Sequence, residues 1–144
     1  MTVHQISVFL ENRAGQLSEI TQVLAEQGID MRAIFIAETA DYGVLRLIVD
    51  RPQATTTLLL EHGFILSMTP VTVVAVPDQP GGLAPVLQLI AEADIDIEYM
   101  YSLFTHTGGK AYMVFRVSDD EAFTATLKRH GIEPVGTDEL GIQA

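Results

Sequence analysis

Hydrophobic and polar positions change their period several times along the chain, and each change predicts a new element. Between Gln5 and Leu10 every second residue is apolar, which is typical of a strand with one buried face. From Leu17 the apolar spacing becomes that of an amphipathic helix, which Gly28 is placed to end. Alternation returns over Ile29 to Ile36, so this part of the chain is predicted to be strand, helix, strand.

The order continues with strand, helix and strand up to residue 68. A turn over Ala40 to Gly43 precedes a strand over Val44 to Val49. Asp50-Arg51-Pro52 supplies an acceptor side chain and a proline, which favour a helix start. That helix is predicted to end at His62-Gly63, and a fourth strand follows over Phe64 to Met68.

The second half of the chain repeats the first. At an offset of 66 residues Gly81 matches Gly15, and past the hairpin an offset of 68 matches His130 with His62. The added residues fall in a turn, where insertions are tolerated. We interpret the repeat as a duplication with its boundary near Thr69-Pro70, which predicts two domains, residues 1–69 and 70–144.

The repeated half contains the same kinds of element. Its predicted elements are strand Val71–Val76, helix Gly82–Ala93, strands Ile95–Phe104 and Ala111–Val117, a helix within Ser118–His130 and strand Ile132–Thr137, before a tail with no clear pattern. The predicted class is α+β, with two tandem ferredoxin-like βαββαβ units. Each unit is a four-stranded antiparallel sheet with two helices on one face.

Strict alternation also predicts which side chains of the second strands face the helices. It places Met31, Ala33 and Phe35 of the first repeat there, and Tyr99 and Tyr101 of the second. Met100 and Ile34 would then lie on the open face of each sheet. These faces begin polar and end apolar, so we expect the other repeat, another chain or both to cover them.

Composition and charge exclude several classes of function. Eight Lys and Arg against 19 Asp and Glu give a formal net charge of −11, which disfavours nucleic acid as a partner. The absence of cysteine excludes disulfides and thiolate metal sites. The N-terminus lacks a signal-peptide pattern, and no apolar run reaches the roughly 18 residues of a membrane span. We therefore expect a cytoplasmic protein that meets no membrane.

The sequence offers little that favours catalysis. Neither a GxGxxG nor a GxxxxGK[ST] pattern occurs, and no histidine is spaced with another to bind metal. No nucleophile has a convincing base beside it. His62 and His130 each precede a helix-ending glycine, where a histidine interacts favourably with the helix dipole. The chain is thus predicted to be no enzyme and to use no metal or cofactor.

The two strand-to-helix turns are the candidate site. Gly15 and Gly81 lie where a helix begins, and a helix N-terminus presents unpaired N–H donors that suit a carboxylate. Asn12 and Asp78 occupy equivalent places and can cap the helix or contact a ligand. Spacing alone favours a purely structural role. The amide donors, together with Asp78, Asp96 or Glu98 for an ammonium group, would also suit a zwitterion.

At this point the sequence resembles a known family, the ACT domain. The resemblance rests on Asn12-Arg13-Ala14-Gly15-Gln16-Leu17 with Gly28-Ile29-Asp30-Met31, and on Asp78-Gln79-Pro80-Gly81-Gly82-Leu83 with Asp94-Ile95-Asp96-Ile97. It covers nearly the whole chain, twice and in register. Asp94 departs from the family's usual glycine.

The resemblance implies a stand-alone regulatory protein that binds an amino acid at interfaces between ACT units. The family's binding segments fall here on the first strand–helix turn and the start of the second strand, which we expect near the same end of the sheet. The implied ligand-binding residues are Asn12, Arg13, Ala14, Gly15, Gln16, Leu17, Asp30, Met31, Asp78, Gln79, Pro80, Gly81, Gly82, Leu83, Asp96 and Ile97. The Asp78 turn is the preferred one.

Two alternatives stay open at this stage. The first is that the chain is an obligate regulatory subunit of an amino-acid biosynthetic enzyme, such as acetolactate synthase. A ferredoxin-like enzyme would need convergent acid, base or nucleophile groups that the sequence does not offer. As partners we expect a small-molecule amino acid, a second copy in a homodimer, and a metabolic enzyme.

Overall fold

The computed structural model describes residues 2–11, 13–38 and 42–143, so Asn12 and the predicted turn residues Ala40 and Asp41 lie outside the described residues. The described elements are β1 Val3–Glu11, α1 Gln16–Glu26, β2 Met31–Glu38, β3 Tyr42–Val49, α2 Pro52–Glu61, β4 Ile65–Pro77, α3 Ala84–Glu92, β5 Ile97–Thr107, β6 Lys110–Val117, α4 Asp120–Arg129 and α5 Thr137–Leu140. The predicted α+β class is confirmed, and so is the order of elements in each repeat up to the last strand of the second.

The chain forms two compact units. The first unit contains His4–Thr69 and the tail that starts at Thr137, and the second contains Pro70–Gly136 and the N-terminal residues up to Val3. Strand β4 contributes residues to both units, since Ile65–Pro77 is continuous where two separate strands were expected. Thr69-Pro70 carries no glycine to turn the chain, so the strand runs through it.

The sheet of the first unit has the strand order β2-β3-β1-β4. Strand β3 pairs antiparallel with both β1 and β2. The helices α1 and α2 cover one face, where the buried core consists of Ile6, Val8, Leu10, Ile20, Val23, Leu24, Ile29, Leu45, Leu47, Val49, Leu59 and Phe64. Ser7, Phe9, Val44 and Arg46 alternate with these core positions, so they lie on the opposite, open face.

The second unit repeats this arrangement. Strand β6 pairs antiparallel with β4 and β5, and α3 and α4 cover one face. The core there is Val74, Val76, Val86, Ile90, Ile95, Phe115, Val117, Phe123 and Leu127. The predicted last strand, Ile132 to Thr137, is reduced to one antiparallel bridge between Val135 and Val73.

A bulge near the start of β2 overturns the predicted facing of its side chains. Met31 pairs with Val49, but Ala33 pairs with Ile48, so one extra residue is accommodated between them. The extra residue exchanges the two faces of the strand from that point on. Ile34, expected on the open face, therefore packs against the helix-covered core, and Ala33 is buried on the other face.

The same irregularity occurs in β5 of the second unit. Ile97 pairs with Val117 and Tyr99 with Arg116, and Met100 then lies opposite the core residue Phe115. Met100 packs against the helix-covered core, contrary to expectation. Tyr99 and Tyr101 stack on each other on the opposite face, with ring centroids 6.4 Å apart. The prediction that these tyrosines pack on the helices is wrong for this reason.

The helices α1 to α4 end with one hydrogen-bond arrangement. After α1 the N–H of Ile29 donates to Leu24 O at 3.0 Å and that of Gly28 to Ala25 O at 3.1 Å, around a glycine with φ +64°. Gly63 and Gly131 have the same role after α2 and α4. After α3 the residue is Asp94, at φ +56°. The helix end that was left uncertain therefore forms without glycine.

The C-terminal tail packs on the first unit. Arg32 donates from Nε to Leu140 O at 3.0 Å, and the N–H of Gln143 donates to Asp50 O at 2.8 Å. Leu140 and Ile142 are buried. The tail showed no sequence pattern because its short helix, Thr137–Leu140, depends on these long-range contacts.

Candidate functional site

The two strand-to-helix turns share one backbone hydrogen bond and one left-handed glycine. The N–H of Arg13 donates to Glu11 O at 2.8 Å, and its equivalent, Gln79, donates to Pro77 O at 2.9 Å. Gly15 and Gly81 both adopt left-handed conformations, with φ +85° and +80°. An L side chain rarely adopts this conformation, so the turn geometry itself requires glycine at both positions.

The space beside both glycines is open. A Cβ atom built on Gly15 or Gly81 meets no other atom within 4 Å. Ala14, Gly15, Pro80 and Gly81 are all exposed, so a solute can reach the backbone of either turn. The glycines therefore allow the bend and leave the space beside their α-carbons open.

The residue at the N-cap of each of the two helices that follow the turns makes no side-chain cap. Gly15 stands there before α1 and Leu83 before α3. The backbone N–H of Asp78 donates to Gly109 O at 2.8 Å, which ties the turn to the β5–β6 hairpin.

The first turn is closed by a side chain. Gln16 is buried, with 7% of its surface exposed, and its Oε1 accepts from the N–H of Glu11 at 2.7 Å. Arg13 carries weak, exposed ion pairs to Glu11 at 3.6 Å and Glu19 at 4.0 Å. Leu17 packs against the core of the first unit. The side chains of Gln16 and Arg13 therefore both contact other groups of the protein near this turn.

The second turn is closed by a close approach of the backbone. Pro77 occupies the place of Glu11 and has no N–H, and Gly82 occupies the place of Gln16. A Cβ on Gly82 would lie 1.9 Å from Pro77 O, so only glycine fits. Sequence reasoning assigned the sharp bend to Gly81 and missed this second requirement. Gln79 and Pro80 are exposed, and Leu83 anchors the turn in the core.

The residues at the start of the second strands lie far from the turns within each unit. Glu11 pairs with Tyr42 at one end of β3, whereas Met31 pairs with Val49 at the other, roughly 23 Å along the strand. Pro77 and Ile97 are separated in the same way along β6. The expectation that both segments share one end of the sheet is wrong, because the helix returns the chain to the opposite end.

Asp30 and Asp96 instead join neighbouring strands. The N–H of Asp30 donates to Asp50 Oδ1 at 3.0 Å, and that of Asp96 donates to Ser118 Oγ at 3.2 Å. Asp50 was expected to cap α2 but accepts here, and Arg51, which precedes α2, provides no side-chain cap. Asp30 also pairs with Arg32. Met31 packs against the core, and Ile97 is partly exposed.

A further charged cluster lies at the start of α4. Arg116 contacts Asp120 at 3.5 Å and Glu98 at 3.6 Å. Burial raises the pKa of Asp120, and the Arg116 guanidinium opposes that shift. Asp120 also lines an open cavity of about 350 Å³ with Thr2 and Lys128. The i,i+4 rule for helices could not have indicated this cluster, because Arg116 lies on β6 and Asp120 begins α4.

The described part of the chain shows no metal-binding group and no membrane-spanning helix. Among residues 2–11, 13–38 and 42–143, no three His, Cys, Asp or Glu side chains are placed to share a metal ion. Within the same ranges no helix is long and apolar enough to cross a membrane. His62 Nδ1 lies 2.9 Å from Leu58 O and His130 Nδ1 lies 2.9 Å from Thr126 O, which agrees with their predicted helix-end role.

Comparisons with known proteins agree with the geometry. The family described as "ACT domain pair" matches residues 1–140. A Bacteroides thetaiotaomicron protein of solved structure is 36% identical, with a TM-score of 0.90 over 98% of this chain and 96% of that chain. No curated protein matches the chain significantly.

More distant structures share the fold. The ligand-free regulatory subunit of aspartate kinase from Thermus thermophilus is 19% identical, with a TM-score of 0.60 over 88% of this chain and 91% of that one. The corresponding subunit from Thermus flavus is also 19% identical, with a TM-score of 0.55 over 90% and 93%. At this identity the likeness concerns the fold.

Proposed function

Because the chain belongs to the ACT domain pair family, we propose that it is a non-catalytic regulatory protein that binds a free amino acid through its two glycine turns. The observation that carries the proposal is the doubled, exposed glycine turn at the start of a helix whose N-cap residue makes no side-chain cap. Each proposed ACT unit, 1–69 and 70–144, contributes one turn. The protein would act in the cytoplasm on an enzyme of amino-acid metabolism.

The second turn is the proposed primary site. Amide groups at the start of α3 would meet the ligand's carboxylate, since a helix N-terminus favours an anion. The carboxylate of Asp78 lies in the same exposed turn and would meet the ammonium group. In the first turn Gln16 already bonds to Glu11, so we expect that turn to bind more weakly.

The geometry of a single unit supports the proposal that the ligand binds at an interface between ACT units. Its turn and the start of its second strand lie at opposite ends of the sheet, so one ligand cannot touch both in the same unit. A second ACT unit would have to supply the other segment. Asp30, Met31, Asp96 and Ile97 are proposed to serve in this way, and a homodimer would provide the interface.

Calorimetric titration with each of the 20 common amino acids tests this proposal. Gly81→Val is expected to abolish the binding of the amino acid that the parent protein takes. Gly131→Val is the matched control, because Gly131 has a similar φ of +74° and equally open surroundings in the same unit. Both variants bear a similar backbone strain of about 1–2 kcal/mol. Only the turn variant should lose binding.

Two results would contradict the proposal. One is the absence of heat with all 20 amino acids, and the other is equal loss of affinity in the two glycine variants. A regulatory subunit of a biosynthetic enzyme, such as acetolactate synthase, is the second candidate. Phe104 favours it, because this large apolar side chain is 55% exposed on β5. Copurification of a catalytic subunit with the parent chain, but not with Phe104→Glu, would support that function.

A further inference from the structure

The start of β2 in the first unit is held by the C-terminal tail, residues 137–143. Arg32 donates from Nε to Leu140 O at 3.0 Å and from a terminal nitrogen to Gly141 O at 3.4 Å. A Cβ on Gly141 would lie 2.9 Å from the same guanidinium, so the tail backbone lies directly against it. The Arg32 side chain is only 28% exposed as a result.

The tail is also bonded to the residue that follows β3. The N–H of Gln143 donates to Asp50 O at 2.8 Å, and Asp50 Oδ1 accepts from the N–H of Asp30 at 3.0 Å. Leu140 and Ile142 are buried, which removes their apolar surface from water. The tail is therefore attached close to Asp30 by hydrogen bonds and by two buried side chains.

The same segment of the second unit is exposed. Asp96, Ile97 and Glu98 occupy the places of residues 30–32, and all three are exposed. Glu98 has a carboxylate where Arg32 has donors, and a carboxylate cannot donate to backbone carbonyls. Glu98 pairs instead with Arg116 on the neighbouring strand at 3.6 Å. One difference in charge thus accompanies a covered strand start in one unit and an exposed one in the other.

The covered segment is one of those proposed to complete an amino-acid site. A ligand held at a glycine turn would also meet the start of a second strand from another ACT unit. The Asp30 carboxylate pairs with Arg32, which in turn bonds to the tail. An ACT unit that approached this segment would have to displace the tail. The exposed start of β5 can be approached directly.

We infer, on the basis of the proposed function, that the tail is a strap that sets how many amino-acid sites the protein offers. While the strap is closed, the start of β5 alone is available, and each chain completes one site. Release of the strap exposes the start of β2, and each chain then completes a second site. Because binding and opening are linked, a ligand at the second site favours the open strap.

Calorimetric titration with the 20 common amino acids counts the sites in the parent protein and in two opened variants. Ile142→Asp places a carboxylate at a buried position, which should expel the tail and leave β2 unchanged. Arg32→Ala removes the donors to the tail and leaves the tail unchanged. Each variant is expected to bind one more equivalent of amino acid per chain than the parent. Adding Asp30→Ala to Ile142→Asp should remove that gain.

Gln143→Ala is the matched control within the tail. Its side chain is exposed, and the variant keeps the backbone N–H that bonds to Asp50, so the strap should stay closed and the number of sites unchanged. Hydrogen exchange at the amide of residue 143 reports opening without any ligand. It should be fast in Ile142→Asp and Arg32→Ala, and slow in the parent and Gln143→Ala.

The outcomes separate the strap from the function on which it rests. Equal numbers of sites in the parent and in the opened variants would overturn the strap and leave the proposed function standing. A residue-143 amide that stays protected in both opened variants would also overturn the strap, since other contacts would then hold the tail. The absence of heat with every amino acid in all these proteins would overturn the proposed function, and the strap with it.

Discussion

Gln16 and Glu11 are joined by a 2.7 Å hydrogen bond from the Glu11 N–H to the Gln16 side-chain oxygen, and the repeat has no counterpart of this bond. Proline at 77 removes the donor and glycine at 82 removes the acceptor. The two turns share a left-handed glycine but are stabilised differently. Substitutions at equivalent positions should therefore have unequal effects.

The first prediction concerns the pair Gln16 and Gly82. Gln16→Ala should lower the free energy of unfolding by about 1 kcal/mol, because one partly buried hydrogen bond is lost. Gly82→Ala should cost about 2–3 kcal/mol, since the added Cβ would lie 1.9 Å from Pro77 O and the backbone must shift. Urea denaturation measures both. A Gly82→Ala effect as small as that of Gln16→Ala would show that the turn relaxes freely.

The second prediction concerns Asp94, the residue that ends α3 at φ +56°. Asp94→Gly should raise the free energy of unfolding by roughly 0.5–1 kcal/mol, because glycine adopts this conformation without strain. Thermal unfolding would detect the gain as a higher Tm. The reciprocal change Gly131→Asp, at the matching position after α4, should lower the Tm, and equal behaviour of the two variants would contradict the explanation.

The third prediction concerns the tail. Arg32→Ala removes the donor to Leu140 O, and the free energy of unfolding should fall by about 1.5 kcal/mol, as for hydrogen bonds from charged donors. The amides of Ile142 and Gln143, which donate to Thr137 O and Asp50 O, should exchange faster with solvent. Hydrogen exchange measures this directly. Arg129→Ala serves as the control, and protected tail amides in Arg32→Ala would refute the anchoring role.

The fourth prediction concerns pH. Because burial raises the pKa of Asp120 in the folded protein, the folded state binds the Asp120 proton more tightly than the unfolded state does. Asp120 therefore stabilises the fold at low pH, and this contribution is lost as the pH rises from the ordinary value of 3.8 through the raised pKa. Asp120→Asn should remove this slope in denaturation series at successive pH values, whereas Glu121→Gln should retain it.

The duplicated turns could be predicted from sequence because their requirements are local. A positive φ favours glycine. The alignment of the two repeats matches Gly15 with Gly81, and it also matches the helices that follow them. The helix-ending glycines at 28, 63 and 131 were predictable for the same reason. The ligand role of the turns stays a prediction, since hydrogen bonds and open space do not identify a ligand.

The facing of the second strands could not be predicted in the same way. One extra residue between Met31 and Ala33, and another between Ile97 and Tyr99, exchange the faces without breaking the apolar pattern. Met100 and Tyr99 are both compatible with a core position, so their alternation carries no sign of the bulge. Tertiary packing decides which of them meets Phe115.

The packing of the tail has a consequence for folding during synthesis. Arg32 and Leu140 are 108 positions apart, yet they belong to one compact unit. A ribosome releases a chain from its N-terminus, and a domain generally folds once it has emerged. The first unit cannot complete its contacts at that stage, because the segment that starts at Thr137 follows the whole second repeat in the chain. Its N-terminal repeat should therefore pass through an incomplete state while the second repeat is synthesised.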